Sequence, residues 1–211
     1  IMEDCAYDWL RYSDDVTAME VPGLRFGGFQ RVDTQGRAMR IDTVSKFLAP
    51  GLRTGWFTAP KELVAHMTKA SALSTQTGSA VSQSLVLGLL KKWGREGLKK
   101  HIEKIQKVYQ DRRNLVARAF EKEMKGLCEW RTPTAGMFFW FKPNASIKSL
   151  EIVRLLLQNK VLLAPGEFFK ADEDSGRASQ WLRLSFSFAT NADLEAGVAL
   201  ISKVLRNLEN K

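Results

Sequence analysis

The stretch TVSKFLAPGLRTG, residues 43–55, places a lysine between hydroxyl side chains and an arginine. Apolar and polar residues alternate just before it, which predicts that Lys46 lies at the end of a strand. A phosphate group is bound by several donors and a compensating positive charge, and Thr43, Ser45 and Arg53 offer both. A lysine beside such a phosphate-binding site can form an imine with a phosphorylated aldehyde. Taken alone, Lys46 is also compatible with an ordinary solvated lysine.

Two other places in the chain carry side chains that suit the same chemistry. Asp4 and Tyr7 are spaced D-x-x-Y at the end of the first predicted strand. Pyridoxal phosphate (PLP) requires such a pair, a carboxylate for its ring nitrogen and a phenol for its ring oxygen, although Asp4 could simply cap the following loop. Arg183, in the strand LRLSF (182–186), is either an outward-facing strand residue or a clamp for a carboxylate.

Five short motifs follow one another along the chain: Asp4-x-x-Tyr7, Ser45-Lys46 with Arg53-x-Gly55, Pro133-x-x-Gly136-x-Phe138-x-Trp140, Pro165-Gly166-x-x-Phe169 and Leu182-Arg183-Leu184-Ser185. In this order they resemble the class I aminotransferases of PLP fold type I, over essentially the whole chain. Four further segments are most similar to the kynurenine/2-aminoadipate aminotransferase group: Ile1–Tyr12, Val21–Arg25, Trp93-Gly94-x-Glu96-Gly97 and Glu129-Trp130.

The resemblance implies a catalytic and cofactor-binding role for three matched residues. Lys46 would hold pyridoxal 5'-phosphate through a Schiff base and then carry the proton during the reaction. Asp4 would pair with the pyridine nitrogen of the cofactor, and Tyr7 with its ring hydroxyl. No metal ion is implied.

The resemblance also implies which residues bind the two anionic groups. The cofactor phosphate would be held by Thr43, Ser45 and Arg53, and the substrate α-carboxylate by Arg183. The family usually has serine where Thr43 stands, and often proline where this chain has Ala6. The threonine hydroxyl can still donate a hydrogen bond, and Ala6 removes no ligand.

The implied reaction moves an α-amino group from 2-aminoadipate, kynurenine or an aromatic amino acid to a 2-oxo acid such as 2-oxoglutarate. Members of the family are considerably longer and are usually homodimers, so we expect a homodimer of the parent protein. We expect the isolated chain to be a poor enzyme or none, because half of the cofactor pocket would precede Ile1. The alternative is a truncated, non-catalytic chain that keeps the fold for binding or assembly.

The resemblance implies an α/β protein, and the order of predicted elements indicates two lobes. Residues 1–110 would form the C-terminal part of the large PLP-binding domain, and residues 111–211 a small α+β domain. A long helix over residues 98–124 would bridge them. A closing helix is predicted over Asp193–Leu208, with Asn191 as its N-cap.

Two segments of the first half carry more specific expectations. Arg31–Lys46 is predicted to form two short strands joined by a turn at Asp33–Gly36. Ser79–Trp93 is predicted to form a buried helix, because it is dense in apolar residues.

Composition narrows the class of protein further. The chain has 211 residues, of which 45% are hydrophobic, and a formal net charge of +9. The basic charge is dispersed and no nucleic-acid-binding motif accompanies it, so we expect no nucleic-acid partner. No apolar run reaches the length of a membrane span, and neither histidine stands in a metal-binding pattern. The sequence is compatible with either the cytosol or the mitochondrial matrix as the compartment of the protein.

Overall fold

The computed structural model describes residues 1–12, 28–171 and 179–209. Within these ranges the chain divides into two compact units, residues 1–107 and residues 108–211. The segment Val21–Arg25, one of those most similar to the kynurenine/2-aminoadipate group, lies outside the described residues. No helix in the described ranges is long and apolar enough to cross a bilayer.

The first unit contains a three-stranded sheet, formed by β1 (Met2–Asp4), β2 (Met39–Thr43) and β3 (Gly55–Thr58). The strand order is β1-β2-β3, with β1 parallel and β3 antiparallel to the central strand. Two 3-10 turns accompany the sheet, at Asp8–Leu10 and Pro50–Leu52.

Of the two strands expected over Arg31–Lys46, the second corresponds to β2, but the first is wrong. Phe29–Val32 forms a single helical turn (α1), and Val32 is 71% exposed. The Asp33 carboxylate accepts hydrogen bonds from the backbone N–H groups of Gln35 (3.0 Å) and Ala38 (2.7 Å). The turn is therefore held by a side chain rather than by strand pairing, which local alternation cannot reveal.

Two helices complete the first unit: α2 (Lys61–Leu73) and α3 (Ala80–Glu123), which continues into the second. Gly94 breaks α3 with φ 59° and ψ −170°, a conformation that glycine adopts without steric strain. The expectation that Ser79–Trp93 is buried is wrong over most of its length. Val86 is buried there, but three apolar side chains are exposed: Val81 (71%), Leu85 (62%) and Leu87 (53%).

A small apolar core fixes the segment that follows β2. Its buried residues are Val44, Phe47, Val86 and Ile102. The rings of Phe47 and Trp9 stack with their centroids 4.6 Å apart, and a ring nitrogen of His101 lies 2.6 Å from the Phe47 carbonyl oxygen. Because Phe47 directly follows Lys46, this packing holds the backbone of the candidate lysine in place.

The second unit is built on a four-stranded antiparallel sheet of order β4-β5-β7-β6. Its strands are β4 (Cys128–Trp130), β5 (Phe138–Pro143), β6 (Ala164–Pro165) and β7 (Leu182–Ser185). A 3-10 turn follows β6 at Gly166–Phe169, and two further helices are α4 (Ser149–Gln158) and α5 (Asn191–Glu209).

Aromatic side chains form the centre of the second unit. Phe120 is 0% exposed, and its ring centroid lies 4.9 Å from that of Phe139, 5.3 Å from Phe141 and 5.5 Å from Trp130. Phe139 also contacts Phe186 at 5.9 Å. Alternation along β5 sends Phe139 and Phe141 into this core, so Phe138 and Trp140 belong to the opposite face of the strand.

The start of α5 differs by one residue from the expected cap. The Thr190 hydroxyl oxygen accepts a hydrogen bond from the Asp193 backbone N–H (3.2 Å) and lies 2.6 Å from the Asp193 carboxylate. Thr190, rather than Asn191, is therefore the capping side chain.

We expect Thr190→Ala to lower the free energy of unfolding by about 1 kcal/mol, because the first turn of α5 loses its cap. Urea unfolding measures the change, and Asn191→Ala serves as the control that should have a smaller effect. An equal loss in the two variants would contradict the assignment of Thr190.

Candidate functional site

The topology of the first sheet gathers several of the candidate residues at one edge. Parallel strands end on the same side of a sheet, and Asp4 and Thr43 are the last residues of β1 and β2. Gly55, the first residue of the antiparallel strand β3, pairs with Thr43. The segment 44–54 therefore leaves and re-enters the sheet at this edge, which is where open α/β sheets bind ligands.

Two hydroxyl groups are fixed beside each other at this edge. Thr43 Oγ1 lies 2.8 Å from Ser45 Oγ and 3.1 Å from the Thr54 carbonyl oxygen. The Ser45 backbone N–H donates to Thr43 Oγ1 at 3.1 Å. Val44 is tied to the same loop, since its N–H donates to the Thr54 carbonyl at 3.0 Å.

Arg53 stands in the left-handed conformation (φ 47°), at the end of the 3-10 turn before β3. Its Nη1 donates to the Pro50 carbonyl at 3.1 Å, and the residue is exposed. The other guanidinium N–H groups meet no acceptor in the described part of the chain, so they remain available to an anion.

Lys46 and Tyr7 come from different segments and meet in the structure. The Lys46 Nζ lies 5.2 Å from the centroid of the Tyr7 ring, within the range of a cation–π contact. Both residues are half-buried. Among the described carboxylates, none pairs with Lys46. This environment differs from that of a fully solvated lysine.

Asp4 is exposed, and its Oδ1 accepts a hydrogen bond from the Ala6 backbone N–H at 3.1 Å. This is the loop-capping contact that the sequence allowed for. The other carboxylate oxygen, Oδ2, has no partner within the described ranges. A carboxylate with one free oxygen at the sheet edge can still pair with a ring nitrogen.

Sequence reasoning missed a buried ion network next to these residues. Arg40 donates to Asp42 from two nitrogens, Nε and Nη2, each at 2.7 Å, and to Asp8 from Nη1 at 2.7 Å. Arg11 donates to Asp8 from Nε at 2.9 Å. Arg40 is 8% and Asp42 4% exposed. The only sequence signal was the spacing of two opposite charges on one face of β2.

The network changes the titration of its members. Burial by itself raises the pKa of Asp8, but hydrogen bonds from Arg11 and Arg40 outweigh it and hold that pKa below its usual value. Asp8 therefore stabilises the fold above the pKa of an unfolded carboxyl, about 3.9, and this stability is lost as the pH falls through the folded pKa. Burial raises the pKa of the adjacent Cys5 thiol to about 11.

Arg183 lies in the second unit, on the face of β7 opposite the buried Leu182 and Leu184. Its guanidinium carbon lies 4.1 Å from the centroid of the Phe138 ring and 4.3 Å from that of Phe169. No carboxylate among the residues described pairs with it. The two rings hold the guanidinium plane and leave its edge for an anion.

Comparison with known proteins connects these residues to a family. The family model "Aminotransferase class I and II" matches residues 4–201. The mitochondrial kynurenine/alpha-aminoadipate aminotransferase of Mus musculus is 32% identical over 207 residues, covering 98% of this chain and 46% of the mouse protein.

Two solved structures show the same architecture. The Pyrococcus horikoshii kynurenine aminotransferase, in complex with PMP, matches with a TM-score of 0.85 and 27% identity, covering 100% of this chain and 48% of its own. The alpha-aminoadipate aminotransferase LysN of Thermus thermophilus, complexed with N-(5'-phosphopyridoxyl)-L-leucine, shares the fold with a TM-score of 0.84 at 24% identity, covering 99% of this chain and 50% of its own. This chain thus spans about half the length of the proteins it matches.

The expected α/β fold of PLP fold type I is confirmed by these structural matches. The family match runs through both compact units and includes every candidate residue from Asp4 to Arg183. This chain therefore belongs to the aminotransferase class I and II family.

Proposed function

We propose that the full-length protein is a PLP-dependent aminotransferase, and that this chain is its C-terminal part. The proposed donors are 2-aminoadipate, kynurenine or aromatic amino acids, and the acceptor is a 2-oxo acid such as 2-oxoglutarate. The main support is a half-buried lysine against a tyrosine ring, at the sheet edge that also carries two hydroxyls and an arginine. The names of the relatives support the choice of donors.

The side chains gathered at this sheet edge fit the functional groups of pyridoxal 5'-phosphate. The Thr43 and Ser45 hydroxyls and the Arg53 guanidinium offer donors and positive charge for a phosphate. Asp4 offers a carboxylate oxygen for a ring nitrogen, and Tyr7 a phenol for a ring oxygen. When bound, the cofactor supplies an aldehyde for the amino group and a ring that withdraws electrons from the α-carbon.

In this proposal Lys46 is the catalytic residue. Its Nζ would hold the cofactor through the aldehyde in the resting enzyme. Once the substrate amino group has displaced it, the released amine would take the proton from the substrate α-carbon and hold it for the next transfer. Packing of Phe47 next to it keeps the lysine backbone in place during this transfer.

Arg183 is the proposed binding residue for the substrate α-carboxylate. We expect Arg183→Lys to raise KM for the amino donor about 10- to 100-fold, because a lysine cannot form the two parallel hydrogen bonds of a guanidinium. Steady-state kinetics of the full-length protein measure the change. Arg154→Lys, at an exposed position of α4, is the control. An unchanged KM in Arg183→Lys would contradict the role.

We further infer the organisation of the full-length protein. Residues 1–110 are assigned to the large PLP-binding domain and residues 111–211 to the small domain, supported by the division of the chain after residue 107. A homodimer is proposed, supported by the exposed apolar residues Val81, Leu85 and Leu87. The relatives named as mitochondrial support a mitochondrial location over the cytosol.

The test of the function uses the full-length protein incubated with PLP. Each amino donor is supplied together with 2-oxoglutarate, and glutamate formation is measured. We expect glutamate to form with at least one of the proposed donors. Cofactor binding without glutamate formation from any of the proposed donors would overturn the proposal and favour the non-catalytic alternative.

A further inference from the structure

The ion network around Arg40 lies between the two segments that carry the proposed cofactor-binding residues. Asp8 directly follows Tyr7, and Asp42 directly precedes Thr43. The Arg40 guanidinium donates to both carboxylates, at 2.7 Å in each contact. One buried side chain therefore joins the segment after β1 to the end of β2.

The geometry of the network requires an arginine. Nε and Nη2 form a two-point contact with Asp42, and Nη1 still reaches Asp8 on the other segment. The ammonium group of a lysine is a single point donor and cannot reproduce this planar arrangement. Because the pair on β2 is buried, water cannot easily replace a lost contact.

We propose that Arg40 is a positioning residue for cofactor binding, which sets the distance between the Tyr7 segment and the segment from Thr43 to Lys46. It touches neither cofactor nor substrate and acts through Asp8 and Asp42. The two segments bind different ends of the cofactor, the ring and the phosphate, so a change in their separation weakens both contacts at once. This inference rests on the proposed function.

Arg40→Lys in the full-length protein tests the inference. The measurements are the dissociation constant of PLP, the pH midpoint of the visible absorption band of the bound cofactor, and the free energy of unfolding without cofactor. Arg113→Lys is the matched control, since Arg113 is also 8% exposed but lies in the second unit, where it donates to the Pro133 carbonyl. We expect the dissociation constant to rise at least tenfold in Arg40→Lys and less than twofold in Arg113→Lys.

A second variant keeps the test decisive if Arg40→Lys does not fold. Asp8→Asn leaves the Arg40–Asp42 pair intact and weakens the bridge to the Tyr7 segment, together with the local contact between Asp8 and Arg11. We expect a three- to tenfold rise in the dissociation constant. A folded variant with unchanged cofactor affinity and an unchanged pH midpoint would overturn the positioning role, whatever its stability. Failure of the wild-type protein to bind PLP would overturn the proposed function instead.

Discussion

Lys46→Ala in the full-length protein is expected to lower the rate of amino transfer at least about a thousandfold. The variant loses both the covalent link to the cofactor and the group that moves the proton, and general acid–base catalysis alone contributes about 10²- to 10⁴-fold. Cofactor binding should persist, because Thr43, Ser45 and Arg53 still offer donors for the phosphate. Steady-state rates with a saturating amino donor measure the loss.

Mass spectrometry separates the covalent role of Lys46 from a general loss of activity. After borohydride reduction, the wild-type protein should keep the mass of the cofactor and Lys46→Ala should not. Lys69→Ala, at an exposed position of α2, is the control and should behave as the wild type does. A reduced Lys46→Ala protein that still carries the cofactor covalently would show that another lysine is the attachment site.

Phe120→Ala is expected to have the largest effect on stability, lowering the free energy of unfolding by about 3–5 kcal/mol. The side chain is fully buried and its ring contacts Trp130, Phe139 and Phe141, so truncation leaves a cavity in the aromatic core of the second unit. Urea unfolding followed by tryptophan fluorescence measures the loss.

A matched phenylalanine provides the control for this core. Phe188 is 97% exposed, so Phe188→Ala should change the free energy of unfolding by less than about 0.5 kcal/mol. Similar losses in the two variants would mean that the aromatic contacts around Phe120 contribute no more than surface residues do.

Local sequence signals predicted the elements that depend on nearby residues. The helix α5 and the strands β2 and β7 follow from apolar spacing and turn residues, within a few positions. The cluster of Thr43, Ser45 and Arg53 was also visible, because the three residues are close in sequence. The structure shows that these residues lie at one sheet edge, because the segment between them leaves β2 and enters β3 there.

Long-range contacts account for what the sequence could not reveal. The contact between Lys46 and Tyr7, and that between Arg40 and Asp8, each depend on the parallel pairing of β1 with β2. At the start of the helical turn Phe29–Val32, the Phe29 backbone N–H donates to the Glu3 carboxylate at 3.0 Å, a contact between residues far apart in the sequence. The apolar side of α3 near Leu85 is exposed, although its sequence predicted burial. Apolar density shows how much of a helix can be buried but does not show which segment covers it.

The two cysteines of the chain have a practical consequence for labelling experiments. Cys5 and Cys128 are both buried, and burial raises the pKa of the first thiol to about 11 and of the second to about 12. Thiolate is the form that reacts with maleimides, so we expect neither residue to react appreciably at neutral pH. A single cysteine introduced on the surface of this region can therefore carry a fluorophore without removal of the native thiols.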